Sequence, residues 1–90
     1  MKTIWKYQLE LKDDQLIEIP VSSEFLSVGL QAGVLCLWVL VNPTYPLIGK
    51  TILIRGTGHD LEVCFSKSDF IGTVQQGPLV WHVFNGTPSV

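Results

Sequence analysis

The sequence predicts an all-β protein, a small antiparallel β-sandwich or barrel of six to seven short strands. Three observations predict it. One alanine, Ala32, stands against ten Val, seven Ile and six Thr, so helix formers are scarce and β-branched residues plentiful. Several stretches alternate apolar and polar residues with a period of two. These stretches are short, and turn residues separate them.

Thr3 to Leu11 reads as the first strand. Its odd positions Trp5, Tyr7, Leu9 and Leu11 are apolar or aromatic, and Lys6, Gln8 and Glu10 are polar, so one face is buried and the other wet. Lys12-Asp13-Asp14 is a polar turn. Gln15 to Pro20 is the returning strand, which Pro20 stops or confines to an edge. Glu24 to Gln31 alternates again, with Leu26, Val28 and Leu30 on one face. Gln31-Ala32-Gly33 is a hairpin turn in which Gly33 takes a positive φ. Val34 to Val41 is the longest unbroken apolar run and, apolar on both faces, the expected central strand.

Asn42 to Pro46 is a loop made rigid by its prolines. Thr51 to Arg55 is a short strand that closes on Gly56-Thr57-Gly58-His59, and Leu61 to Phe65 reads as strand or loop. Phe70 to Gln75 and Leu79 to Phe84 are the last strands, joined by Gln76-Gly77-Pro78. In the final strand, either Leu79, Trp81 and Val83 or Val80, His82 and Phe84 point inward. Residues 1–84 form a single β domain, with 85–90 as a flexible C-terminal tail.

Composition bounds the function classes. The chain is 47% apolar and only 16% charged, against about 25% charged in average soluble domains. Disorder is excluded, because it needs low hydrophobicity and high charge. Six Lys and Arg face eight Asp and Glu, for a net charge of -2, which argues against DNA or RNA as a partner. The apolar run is too short to span a bilayer as a helix, which takes about 20 residues, and no apolar segment of a secretion signal follows Met1-Lys2-Thr3. Cys36 and Cys64, without CxxC spacing, read as reduced cytosolic thiols, and Cys36 as a small core residue. A domain of this size buries only about 60–65% of its unfolded surface. With so few charges some apolar surface stays exposed, and a homo-oligomer is the expected outcome.

The most suggestive cluster is Arg55-Gly56-Thr57-Gly58-His59 at a strand end. Two glycines let the backbone approach a ligand, and consecutive N–H groups can cup a phosphate. Arg55 would add a bidentate charge partner and Thr57 a hydroxyl donor. The same residues also read as an ordinary glycine turn, and no Gly-Lys-Ser/Thr follows to make a P-loop. Trp5, Tyr7, Trp38, Trp81 and His82 are candidates to stack on a base. The alternation favours the core for Trp5 and Trp38. Neighbours on a strand point oppositely, so Trp81 or His82 must face away from the main core. The candidate ligand-binding set is therefore Arg55, Gly56, Thr57, Gly58, His59, Trp81 and His82. No catalytic or metal-binding set stands out. His59 with Cys64 has arbitrary spacing for a nucleophile and base, and His59, Asp60, Glu62 and Cys64 lack standard ligand spacing. No cofactor is implied.

Met1 to Tyr7, Ile17-Glu18-Ile19-Pro20, Leu26-Ser27-Val28, Leu37-Trp38, Gly56-Thr57-Gly58-His59, Ile71 to Gln75 and Leu79 to Phe84 occur in an order that resembles a family. It is a family of small bacteriophage and prophage proteins grouped as a domain of unknown function. Asn42 to Lys50 and Asp60 to Asp69 depart from its pattern. The resemblance implies a phage origin and a location in the host bacterial cytoplasm, and assigns no catalytic residues. By analogy of size and origin, the expected function is non-enzymatic binding: an oligomeric anti-defence sponge that sequesters a nucleotide immune signal of the cyclic ADP-ribose or cyclic oligonucleotide type. Its pocket would lie between subunits. The alternatives are a protein-interaction module acting on a host or phage protein, and a minor virion component.

Overall fold

The computed structural model describes residues 1–59 and 69–86. Among them are seven strands and no α-helix: β1 (Thr3–Gln8), β2 (Asp14–Pro20), β3 (Glu24–Gln31), β4 (Val34–Val41), β5 (Leu47–Gly56), β6 (Phe70–Gln76) and β7 (Leu79–Asn85). They form a three-stranded sheet, β1-β4-β3, and a four-stranded sheet, β2-β5-β7-β6. Every hydrogen-bonded pair is antiparallel. The molecule measures 39 × 34 × 19 Å, and its thin dimension is that of two stacked sheets with their side chains. This is a small β-sandwich.

The long apolar run is indeed the middle strand of its sheet. Leu35, Leu37, Val39 and Val41 point into the sandwich and are almost fully buried. They meet Ile52 and Ile54 of β5 and Val74 and Val83 of β6 and β7 in one cluster. In the last strand Trp81 and Val83 face this core, which leaves Val80, His82 and Phe84 outside. Between β3 and β4, Ala32 and Gly33 both take positive φ, 51° and 77°, the requirement of a two-residue hairpin whose twist matches its strands.

Three details depart from the expected faces. In β3 the register shifts between Phe25 and Ser27, so the inward set is Phe25 and Val28, and Leu26 is 45% exposed. Such a bulge adds one residue and reverses the alternation beyond it. Trp38 is not in the core: it pairs with Lys6 and Ser27 on the outer face of its sheet, half-buried. Trp5 does face inward, but on an edge strand, and stays 36% exposed. Cys36 is buried, yet it too points outward. The Lys6 Nζ donates to Gln31 Oε1 at 2.6 Å, and this bond crosses β4 at the level of Cys36.

β5 runs longer than expected, and Asn85, where the tail was expected to begin, is the last residue of β7, opposite Ile52. The Gly86 N–H continues the ladder to the Thr51 carbonyl at 2.8 Å. The Leu61 to Phe65 expectation lies outside the described residues, as do residues 87–90.

The open side of the sandwich, between edge strands β1 and β2, carries a bridge. The Tyr7 hydroxyl donates to the Glu18 carbonyl at 3.0 Å, which ties one sheet to the free edge of the other. Burial disfavours the phenolate and raises the Tyr7 pKa above its ordinary 10.0. The folded state thus holds this proton more tightly than the unfolded chain. The corresponding stability is fully present below pH 10.0 and is lost as pH rises through the folded pKa. Tyr7→Phe is expected to cost about 1 kcal/mol at neutral pH, lowering Tm by about 4–8 °C. It should also flatten the alkaline decline. Thermal melts at neutral and alkaline pH check both, and an unchanged alkaline slope would rule out ionisation of Tyr7 as its source.

Candidate functional site

The end of β5 gathers most of the expected ligand-binding residues. Arg55 pairs with His82 on β7, which pairs with Thr73 on β6. The three side chains form one row across the outer face of the four-stranded sheet. His82 is held by both ring nitrogens: Thr57 Oγ1 lies 2.7 Å from Nε2, and Thr73 Oγ1 lies 3.0 Å from Nδ1. A neutral imidazole donates to one hydroxyl and accepts from the other. Neither nitrogen is free to act as a base without breaking one of these bonds.

Arg55 is positioned by main chain. Its Nη1 donates to the Asp13 carbonyl at 2.5 Å and to the Ile54 carbonyl at 3.0 Å. No carboxylate of the described residues lies within ion-pair distance of it, and its Nε and Nη2 have no partner among them. Arg55 is one wall of an open depression of about 210 Å³, completed by Gly56 to His59 together with His82 and Phe84. Phe84 was not foreseen as a site residue. It belongs to a neighbouring apolar row, stacked edge-on with Phe70 at 5.5 Å between ring centroids and paired with the buried Leu53. Only the cross-strand register could have revealed it.

The glycine loop does not do what its composition promised. The Gly56 N–H donates to His59 Nδ1 at 3.1 Å, the Thr57 N–H to the Val80 carbonyl at 3.2 Å, and the His59 N–H to the Gly56 carbonyl at 3.1 Å. With three amides engaged inside the protein, no run of N–H groups is left to cup a phosphate. The glycines have structural work instead. Gly58 sits at φ +88°, a conformation L side chains rarely adopt. A Cβ on Gly56 would meet the His59 ring at 2.9 Å, so the bare backbone is what lets the imidazole fold back over the turn.

Trp81 is separated from His82 by the pleat. Its ring packs against the core cluster, and its Nε1 donates to Gln76 Oε1 at 3.0 Å. It lines a second depression of about 360 Å³, on the other side of the Gly56–His59 turn, with Pro78 and Leu79. The seven residues therefore surround one turn but serve two openings. Cys64, Asp60 and Glu62 lie outside the described residues. Among the described residues no group of three or more His, Cys, Asp or Glu could hold a metal ion, and no helix is long and apolar enough to cross a membrane.

Fold and site together define a small, seven-stranded β-sandwich domain with a shallow polar–aromatic face beside a tight turn. The chain belongs to the family described as a domain of unknown function, DUF7352, whose model matches residues 1–90. No curated protein and no solved structure matches the chain.

Proposed function

We propose that this chain is a phage-encoded, non-enzymatic binding protein that sequesters a small nucleotide-like anion in the host cytoplasm, as a self-associating domain. The single observation that carries the reading is the environment of Arg55. It lines an open depression, only its Nη1 is engaged by main-chain carbonyls, and no carboxylate of the described residues lies within ion-pair distance to neutralise it. Beside it stand His82, fixed by two threonines, and Phe84. A phosphate takes the guanidinium donors in a charge-assisted pair, and the aromatic surface accepts the face of a base. The depression is shallow for a pocket, since enclosed ligand sites run about 300–1,000 Å³. The ligand therefore lies along the sheet face with its charged end at Arg55.

Isothermal titration with cyclic ADP-ribose isomers and cyclic dinucleotides tests the reading. Binding at one ligand per chain is expected, weakened about 10- to 100-fold by Arg55→Gln, as befits the loss of a hydrogen bond to a charged group. No heat with either set would remove it. Apolar side chains left on the surface, Ile4, Leu26 and Leu30 among them, favour a second reading as a protein-interaction module. A pull-down from infected cells that yields a stoichiometric protein, and no ultraviolet-absorbing small molecule, would favour that reading instead.

A further inference from the structure

We infer that the depression at Arg55 takes an oxyanion with three or more free oxygens, a diphosphate above all, and that Thr57 and His59 read it beside the guanidinium. The inference rests on the proposed anion site at Arg55 and names the chemistry of its ligand.

The hydrogen bonds around the turn decide which groups are left for a ligand. A backbone N–H can only donate, so the bond from Gly56 N–H makes His59 Nδ1 an acceptor. The hydrogen of the neutral imidazole then sits on Nε2, which has no partner among the described residues. His59 is exposed and lines the depression. The neighbouring acceptors are already engaged. Arg55 Nη1 holds the Asp13 and Ile54 carbonyls, the His59 N–H holds the Gly56 carbonyl, and the Thr57 N–H holds the Val80 carbonyl.

Thr57 is the group that adapts. Its Oγ1 lies 2.7 Å from Nε2 of His82, the cross-strand partner of Arg55, so the hydroxyl stands on the same outer face as the guanidinium. With the ring hydrogen on Nδ1, His82 accepts the Thr57 O–H, and the hydroxyl offers a ligand only lone pairs. With the hydrogen on Nε2, His82 donates to Thr57 Oγ1 and accepts the Thr73 O–H at Nδ1. The Thr57 O–H is then free to donate outward. An anion oxygen at Thr57 selects this second arrangement, and no heavy atom has to move. His82 is thus a positioning residue, and its tautomer reports the ligand.

Three residues of one depression then offer donors: Arg55, the His59 Nε2–H and the Thr57 O–H. Three donor residues call for at least three acceptor oxygens. A carboxylate has two, and a phosphodiester has two free ones. A diphosphate has more, on adjacent phosphorus atoms. Among nucleotides this favours one built on a diphosphate, such as cyclic ADP-ribose, over cyclic dinucleotides, whose diesters stand apart.

Nuclear magnetic resonance on the full chain tests this with pyrophosphate, dimethyl phosphate and acetate as probes, at about pH 8, where a histidine is ordinarily neutral. Before any addition, His59 should have a bare Nδ1 and a hydrogen on Nε2. Pyrophosphate at millimolar concentration should shift Arg55, Thr57 and His59 and move His82 to its Nε2–H form. Dimethyl phosphate and acetate should bind at least about tenfold more weakly. Thr57→Val should weaken pyrophosphate about tenfold, as for one hydrogen bond to a charged group, and Thr57→Ser should keep it. A hydrogen on His59 Nδ1, equal binding of the three probes, no pyrophosphate binding, or indifference to Thr57→Val overturns the inference. Pyrophosphate binding as expected, with no heat from the nucleotides, would sink the nucleotide reading and leave the oxyanion site standing. Nucleotide binding without pyrophosphate binding would do the reverse.

Discussion

Leu37→Ala is expected to cost the domain about 2–5 kcal/mol, the range for removing a large aliphatic side chain from a core that cannot collapse around the gap. Leu37 has no exposed surface. It stands at the middle of β4, flanked on the inner face by its cross-strand partners Tyr7 and Val28, and it belongs to the cluster shared by both sheets. Much of that cluster is β-branched, Val39, Val41, Ile52, Ile54, Val74 and Val83, and such side chains on paired backbones have few rotamers with which to fill a gap. At about 0.05–0.15 kcal/mol per residue, a domain of this length has roughly 5–13 kcal/mol to lose. Urea denaturation followed by tryptophan fluorescence should show a lower midpoint with an unchanged slope. A loss below about 1 kcal/mol would mean that the space refills and that the inner face is less rigid than its burial implies.

The second large effect lies where the sheets approach each other. β3 and β6 are edge strands of different sheets, both have a register shift, at Phe25/Ser27 and Phe70/Gly72, and they meet at Gly72. A Cβ there would stand 2.8 Å from Val28 Cγ1, closer than real carbon contacts allow. Gly72→Ala is expected to cost about 1–3 kcal/mol by overpacking. Val28→Ala removes the obstructing methyl, so in that background the same substitution should become cheaper by about 1 kcal/mol or more. A double-mutant cycle measures the coupling. Additive costs would show that the seam yields by moving backbone rather than by resisting at this contact.

The strands were legible because their signals are local. The alternation of Trp5 to Leu9 and the uninterrupted run from Val34 to Val41 state their classes outright, as does Ala32-Gly33 between them. Which way a side chain points was legible only where one face is polar. β4 is apolar on both sides, so nothing in its composition says that Leu37 faces in and Trp38 out. That is settled by pairing with Lys6 on β1. In β3 the bulge moved the inward set from Leu26 to Phe25, and a bulge has no residue-level mark here beyond its result.

The candidate site divides the same way. Arg55 to His59 is contiguous and could be read as a unit. That its amides are engaged could not, since one acceptor is the Val80 carbonyl on another strand and another is a side chain folded back on its own turn. Phe84 and Thr73 joined the site through register alone, the information a single sequence withholds.

The strand order has a kinetic consequence. β5 and β6 run parallel to each other with β7 inserted between them, so the four-stranded sheet stays in two pieces until the seventh strand arrives. The β6–β7 hairpin turns locally at Gly77-Pro78 and forms on a timescale of about 1–10 μs. Docking it on β5 brings Asn85 back to Ile52 across a long stretch of chain, the non-local step that makes β-sandwiches slow, with folding in milliseconds to seconds. Arg55 comes from β5, His82 from β7 and Thr73 from β6, so the candidate ligand face does not exist before that docking. Anything bound there is a clamp on the last closure: it would slow unfolding of the hairpin from β5 while leaving the rate of hairpin formation untouched.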